Sequence, residues 1–518
     1  MPIECAFYGC DGLENVSLPA IAIERIPKTN LKTVVITSGN EIGDRAFEDC
    51  DGLTSVTIPN SVTSIGDLAF YKCSSLTSIA IPDSVASIGD WAFEDCSGLV
   101  SVTIGNSVTS IGEYAFHNCR GLISVTIPDS VTTIGEQAFS WCDKLISYCE
   151  AASKPNGWDS CWNDEYSPVV WDCKNNDIAN NGNIYIVCDR LRYALKDGNA
   201  TILSTAAISE NVIIPSTVNY KNTEYSVTTI DYGAFEDCSG LISITIPDSV
   251  TSIGGGAFEG TAYYNSDDNW KDNVLYIGKH LIKAKSEISG IYNIKESTLI
   301  VADSAFEDCS KLTSVIIPDS VISIGVSAFE GCSGIESITV ESGNAVYHSA
   351  GNCIIETQSK TLISGFKNSV IPTDGSVMSI GDRAFEGCSG LTSITIPDSV
   401  TSIGGYAFWC CSGLTSVTIP DSVTSIGSNA FASCSGLTCV TIGDGVKTIG
   451  DWAFDYCSRL TSVTIGNSVT TIGDFAFYGC SGLTDIYFGG TKAQWNAIEW
   501  VSNTEKYTIH CLDGDIKK

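Results

Sequence analysis

Phenylalanine returns every 23 residues in this chain: Phe47, Phe70, Phe93, Phe116 and Phe139 form one run, and Phe385, Phe408, Phe431, Phe454 and Phe477 another. Phe235 with Phe258 and Phe306 with Phe329 keep the same spacing, and Ala6, Phe7 and Cys10 mark an outlying copy. A fixed period of this size means a stacked array, because one such unit cannot bury its own apolar face and must lean on its neighbours. The chain of 518 residues is therefore not read as the roughly three or four globular domains its length would otherwise suggest.

One unit, Ile65 to Ser87, reads IGDLAFYKCSSLTSIAIPDSVAS. Leu76, Ile79 and Ile81 have leucine-rich-repeat spacing, with the last residues alternating in and out as a short strand. Ala69, Phe70 and Cys73 sit instead at i, i+1 and i+4, which fits one turn of α- or 3₁₀-helix. Pro82 ends the strand because it has no N–H to continue a ladder, and Gly66 and Gly89 suit tight corners. The expected fold is a repeat solenoid: a β-rich leucine-rich repeat with short strands and single helical or 3₁₀ turns in each 23-residue coil.

The pattern IGxxAFxxCxxLxSVxIPxSVTS, which covers most of residues 39–142 and 226–488, resembles the BspA-like leucine-rich repeat family. That resemblance implies a surface-displayed or secreted protein of the adhesion type, with a protein or glycan ligand on a cell or matrix surface. It implies no enzymatic activity and no cofactor. The Asn of other leucine-rich repeats is replaced here by Ser84 and its equivalents, among them Ser130, Ser249, Ser320, Ser399 and Ser422; a hydroxyl there still reaches the backbone of the adjacent coil.

Changes in the period divide the chain. Residues 1–38 read as divergent, truncated N-terminal coils, and 39–147 as a first array. Residues 148–183 lose the period and concentrate Trp158, Trp162 and Trp171, as an irregular cap or linker. Residues 184–488 form a second array with divergent coils at 259–302 and 336–382, both taken as continuous solenoid. Residues 489–518 form a C-terminal cap, with a short helix around 491–500 and a strand at 506–511.

Charge and motifs narrow the chemistry. With 28 Lys+Arg against 60 Asp+Glu, the net charge of -32 opposes nucleic acid and anionic lipid. No run of 18 apolar residues suggests a membrane span, and no basic segment with an apolar core opens the chain as a signal peptide. The four histidines are scattered, and no HExxH, GxSxG, P-loop or GxGxxG is present. Cysteine, 23 in all, recurs three residues after the Phe, as a buried column of small side chains; the off-pattern Cys149, Cys161, Cys173 and Cys188 are candidates for disulfide pairing. Aspartates after the IG corner and after the Pro, such as Asp67, Asp90, Asp83 and Asp421, are turn residues bonded to backbone, with calcium binding as the alternative. No metal site is assigned.

Recognition is sought where the copies differ. Outward strand positions form a nearly uniform ladder of Ser and Thr, whereas the two positions after IG vary and carry aromatics beside carboxylates. Trp91, Tyr114, Tyr406 and Trp452 there are candidate anchors for a protein partner. Trp158 and Trp162 in the interruption are candidate stacking platforms for a sugar, or cap residues over the end of the first array. The alternative functions are a structural spacer within a larger surface protein and a carbohydrate-binding accessory module.

Overall fold

Most regular coils lay a three- or four-residue strand and a two-residue strand on those of the coil before them, in parallel and one period on. Ser78 pairs with Ser101 and Ile79 with Val102 on one sheet, and Ser64 pairs with Ser87 on the other. Alternation decides the faces: in Ser101–Thr103 the central Val102 is buried while Ser101 and Thr103 face solvent. The computed structural model describes residues 12–164, 167–174, 177–189, 191–203, 209–498, 500 and 507–517. The outlying copy marked by Ala6, Phe7 and Cys10 lies outside them.

The segment expected to be one turn of α- or 3₁₀-helix is a string of tight turns of the 3₁₀ kind. The N–H groups of Ala46, Glu48 and Cys50 donate back to the carbonyls of Gly43, Arg45 and Phe47, at 3.2, 3.3 and 3.2 Å, in the 3₁₀ manner. Those of Arg45, Phe47 and Asp49 donate forward to Asp67, Ala69 and Tyr71 of the next coil, at 2.8, 2.7 and 2.9 Å. Aiming alternate N–H groups out of the coil puts Arg45 and Asp49 at φ 57°, so no continuous helix forms. Left-handed backbone costs something at each non-glycine residue, and the inter-coil bond offsets it.

Side chains stack in columns because every copy repeats one step along. Phe70, Phe93 and Phe116 lie face to face at 4.9 and 5.0 Å, with ring planes within 5°. Cys73 and Cys96 donate their thiols to the carbonyls of Phe47 and Phe70 at 3.2 and 3.1 Å. Burial pushes the Cys96 thiol up to about 12, so the column stays protonated and serves as packing. Asp67 and Asp90 accept the N–H groups of Asp90 and Glu113 one coil on, at 2.8 and 2.7 Å, as Asp421 accepts that of Asp444. Serine acts as expected at Ser84, Ser130, Ser249 and Ser320, whose hydroxyls reach carbonyls of the preceding coil at 2.6 to 2.8 Å. The buried hydroxyls of Ser399 and Ser422 have no partner among the described residues. Gly112 is required by this stacking: a Cβ there would lie 2.5 Å from the carbonyl carbon of Gly89.

The chain forms two compact units, one of residues 1–208 with 218–225 and the other of 209–217 with 226–518. In the first, the sheet that contains Ser101–Thr103 runs on through Ile146–Cys149 to Val169–Trp171. Antiparallel strands Ile184–Cys188, Leu191–Lys196 and Asn199–Ile202 follow. In the second, the divergent stretches depart from the continuous solenoid expected of them. Each contains an antiparallel hairpin, Val274–Ile277 with His280–Ala284 and Cys353–Glu356 with Thr361–Gly365. The last strand of each rejoins the array in parallel, His280 beside Ile300 and Thr361 beside Ser379. A hairpin satisfies its backbone locally, so it escapes the period; only its final strand must keep register. The C-terminal cap has a helix at Lys492–Trp495 and a strand at Thr508–Cys511, near the expected positions, plus a further strand, Gly514–Lys517.

Candidate recognition surface

The left-handed residue after the IG corner spends its N–H on the next coil, which leaves its side chain to point outward. Trp91, Tyr114, Tyr406, Trp452 and Phe475 occupy this position at φ 54 to 57°. In the first unit the rings of Trp91 and Tyr114 stack at 5.9 Å and 6°. Tyr114 meets His117 edge-on at 5.3 Å, and His117 lies 6.0 Å from Trp141, which is 56% exposed. His117 Nδ1 is 3.1 Å from Glu94 Oε1, and burial first of all raises the Glu94 carboxyl above its usual range.

A second patch lies in the other unit. Trp452 and Phe475 stack at 4.4 Å, and Tyr478 packs edge-on against both at 5.9 Å. Tyr456, 55% exposed, meets Tyr478 at 5.7 Å. In the same turn Asp455 keeps one carboxylate oxygen buried without a partner among the described residues, and burial pushes its pKa up to about 6. Two coils away from Trp452, Tyr406 carries the Arg383 guanidinium over its face at 4.5 Å and Trp409 at its edge.

Four of the six residues singled out from the sequence thus lie on the outer edge of the turns; Trp158 and Trp162 do not. They are 4% and 3% exposed, and their faces are not open for a sugar. Trp158 donates its indole N–H to the Val131 carbonyl at 3.1 Å, and its ring meets that of Trp162 at 5.0 Å. Trp162 stands edge-on over Phe139 at 6.0 Å, at the end of the phenylalanine column. Nor do Cys149, Cys161, Cys173 and Cys188 pair: all four are free thiols.

Sequence reasoning passed over Trp141, Trp409, Tyr456 and Tyr478. They sit one or two residues after the Phe, and variation among copies at those positions was the available signal. Among the described residues no group of His, Cys, Asp and Glu is arranged to hold a metal ion. The edge offers flat apolar rings interleaved with carboxylates, a surface for binding.

A family model described as the BspA type Leucine rich repeat region, with 6 copies, matches residues 27–146, 208–336, 284–356 and 363–498, most of the chain. Among solved structures the chain is similar to a leucine rich cell surface protein from Faecalibacterium prausnitzii, with 27% identity over 91% of each chain and a TM-score of 0.35. A leucine-rich repeat protein from Bacteroides ovatus is 22% identical over 91% of this chain and 92% of its own, with a TM-score of 0.27. Another, from Eubacterium ventriosum, is 22% identical over 64% of this chain and 99% of its own, with a TM-score of 0.39. No curated protein matches the chain.

Proposed function

Because the chain belongs to the BspA-type leucine-rich repeat family, we propose that it is a non-enzymatic binding protein of the adhesion type, displayed at or outside the cell surface, whose partner is a protein held at the aromatic edge of the turns. The observation that carries this reading is the placement of the half-buried Trp452 in one cluster with the exposed Phe475, Tyr456 and Tyr478. Large rings held rigid by stacking lose little entropy when a partner covers them, which is why Trp and Tyr dominate binding hot spots. Asp451, Asp455 and Asp474 are the chain neighbours of Trp452, Tyr456 and Phe475, and the chain carries a net charge of -32, so the partner's complementary face is basic. No helix among the described residues is long and apolar enough to cross a membrane.

The test is a binding screen of the full chain against purified extracellular-matrix proteins, intact bacterial cells and a glycan array. A saturable protein partner is expected, and Trp452→Ala with Phe475→Ala weakens it by about 2 kcal/mol or more, roughly thirtyfold. If binding is confined to glycans, is weaker than about millimolar in every arm, or is unchanged by these substitutions and by Trp91→Ala with Tyr114→Ala, the reading fails.

A further inference from the structure

In a regular turn the N–H groups of the left-handed residue and of the Phe point forward and donate to the next turn. Gly233 and Phe235 bond in this way to the carbonyls of Gly255 and Ala257, at 3.1 and 2.8 Å, and Ser304 and Phe306 to those of Val326 and Ala328, at 3.0 and 2.7 Å. Two turns of the second unit have no such neighbour, because a hairpin follows each of them. The N–H groups of Gly256 and Phe258, and those of Ser327 and Phe329, have no acceptor among the described residues. Phe258 and Phe329 are nonetheless only 1% and 7% exposed. A buried backbone N–H without an acceptor is rare in folded proteins.

The turn beyond each hairpin supplies the complementary groups. The hairpin's last strand gives that turn one bond, Ala284 N–H to the Ala305 carbonyl at 2.6 Å and Gly365 N–H to that of Ala384 at 2.7 Å, so Lys283 and Ser364 are equivalent. The backbone carbonyls on either side of that bond, of Asp303 and Glu307 in one case and of Asp382 and Glu386 in the other, receive no N–H among the described residues. Their counterparts in Glu259 and Glu330 do, from Asp237 and Asp308, both at 2.8 Å. Free donors and free acceptors line one slot in each case. The first, with Gly256, Phe258, Asp303 and Glu307, encloses about 180 Å³, and the second, with Ser327, Phe329, Asp382 and Glu386, about 210 Å³. Lys283 is paired with Glu307 at 2.9 Å and Arg383 with Glu386 at 2.6 Å, so the feature the two slots share is unsatisfied main chain. Each is closed at one end, the first by the Asp303 N–H on the Ile253 carbonyl at 3.0 Å, the second where a Cβ on Gly387 would lie 3.3 Å from the Gly331 nitrogen.

We propose that these slots bind a short stretch of extended main chain from a partner polypeptide, seated where the next turn would otherwise lie. The group that fits is the trans secondary amide. It is planar, with C=O and N–H pointing in opposite directions, so one amide accepts from the N–H wall and donates to the carbonyl wall. Free donors two residues apart, facing free acceptors four residues apart, call for amides in series, which favours a polypeptide over a ligand that carries a single amide. This site is separate from the aromatic edge and does not rest on the reading given for it.

The probe is an uncharged peptide of alternating Gly and Ala with acetyl and amide caps, added to the full chain and followed by calorimetry and by residue-resolved hydrogen exchange. Saturable binding is expected. At about ten times the dissociation constant the N–H groups of Phe258 and Phe329 should exchange about tenfold more slowly, while those of Phe306 and Phe408, already bonded within the array, do not change. The same peptide N-methylated at alternate residues lacks the donors for the carbonyl wall and should bind about tenfold more weakly. N-acetylglucosamine, with one secondary amide, should also bind more weakly than the peptide. Ser364 lines the second slot, so Ser364→Tyr should fill it, abolishing the slowing at Phe329 and leaving that at Phe258 intact. No saturable binding, equal binding of the N-methylated peptide or of the sugar, exchange that slows at neither Phe258 nor Phe329, or undiminished slowing at Phe329 in a folded Ser364→Tyr chain would overturn the proposal.

Discussion

The run of phenylalanines that ends at Phe139 and the one that ends at Phe477 are closed in the same way by unlike sequences. Trp162 and Trp500 each stand 23 residues after the last Phe, so the period survives one step beyond where it seems to stop. Both rings are turned edge-on to the column, at 83° and 77°, where successive Phe rings inside a column lie within 17° of parallel. Each is braced by a second, buried tryptophan, Trp158 at 5.0 Å and Trp495 at 5.5 Å. A ring laid flat would present another face to be stacked upon; an edge-on indole covers the last Phe and offers no continuation. Beyond this point the ends differ. The first passes into strand Val169–Trp171. The last passes into a capped helix, with Thr491 and Gln494 bonded reciprocally, and then a hairpin clamped by His510.

The comparison is broken most severely from the middle of a column. Phe431 lies between Phe408 at 4.9 Å and Phe454 at 5.3 Å, so Phe431→Ala should cost about 3–5 kcal/mol in denaturant unfolding. A cost under about 1 kcal/mol would mean that the column is not what holds the coils together. At the ends, Trp162→Ala should cost about 3 kcal/mol and Trp500→Ala, which is only half-buried, less. Equal losses at both ends would show that burial does not set the strength of the cap. Trp162→Phe, a smaller change, should cost about 1–2 kcal/mol; if it is neutral, the wide edge-on ring is not needed.

The smallest effect separates the two ends by pH. His510 lies 2.8 Å from Asp485 and 2.9 Å from Asp515, with Tyr487 stacked at 4.7 Å, and the bond to Asp485 above all raises its pKa beyond the usual 6.5. A raised folded-state pKa adds stability in full below the unfolded value and loses it as the pH climbs through the folded one. The same bond lowers Asp485, so the pair is also lost in strong acid. Melting curves of the native chain and of His510→Gln should therefore differ most near pH 6 and converge in mild alkali. The first end, with no histidine between residues 146 and 171, should contribute no such change. A gap of equal size at both pH values would remove the ion pair from the account.

Much of this was legible in the sequence. Leu76, Ile79, Ile81, Val85, Phe70 and Cys73 read as inward-facing from spacing alone, and each is 3% exposed or less. The tryptophans were harder, because Trp158 and Trp162 read either as a cap or as platforms once the flanking motif had lapsed. A change of residue type at the Phe position hid a period that the backbone still keeps. The hairpins at 270–284 and 347–365 were hidden for the opposite reason: local antiparallel pairing removes the need for a period, so their strand-like runs passed for divergent coils.

The sequence alone determined the coil: its length, its buried set, the turn at the Pro and the stacking in parallel register. Repetition does this because each side chain meets its own copy one step away, so a local pattern is already a tertiary contact. Only the tertiary structure decided which aromatics are free. Trp452 and Trp158 look alike in the chain, but one sits on a left-handed turn residue facing outward while the other closes a column. It also decided that Lys283 and Ser364, 81 residues apart in unlike segments, occupy one position in the last strands of two equivalent hairpins. Equivalence of that kind follows from hydrogen-bond register, and residue spacing does not carry it.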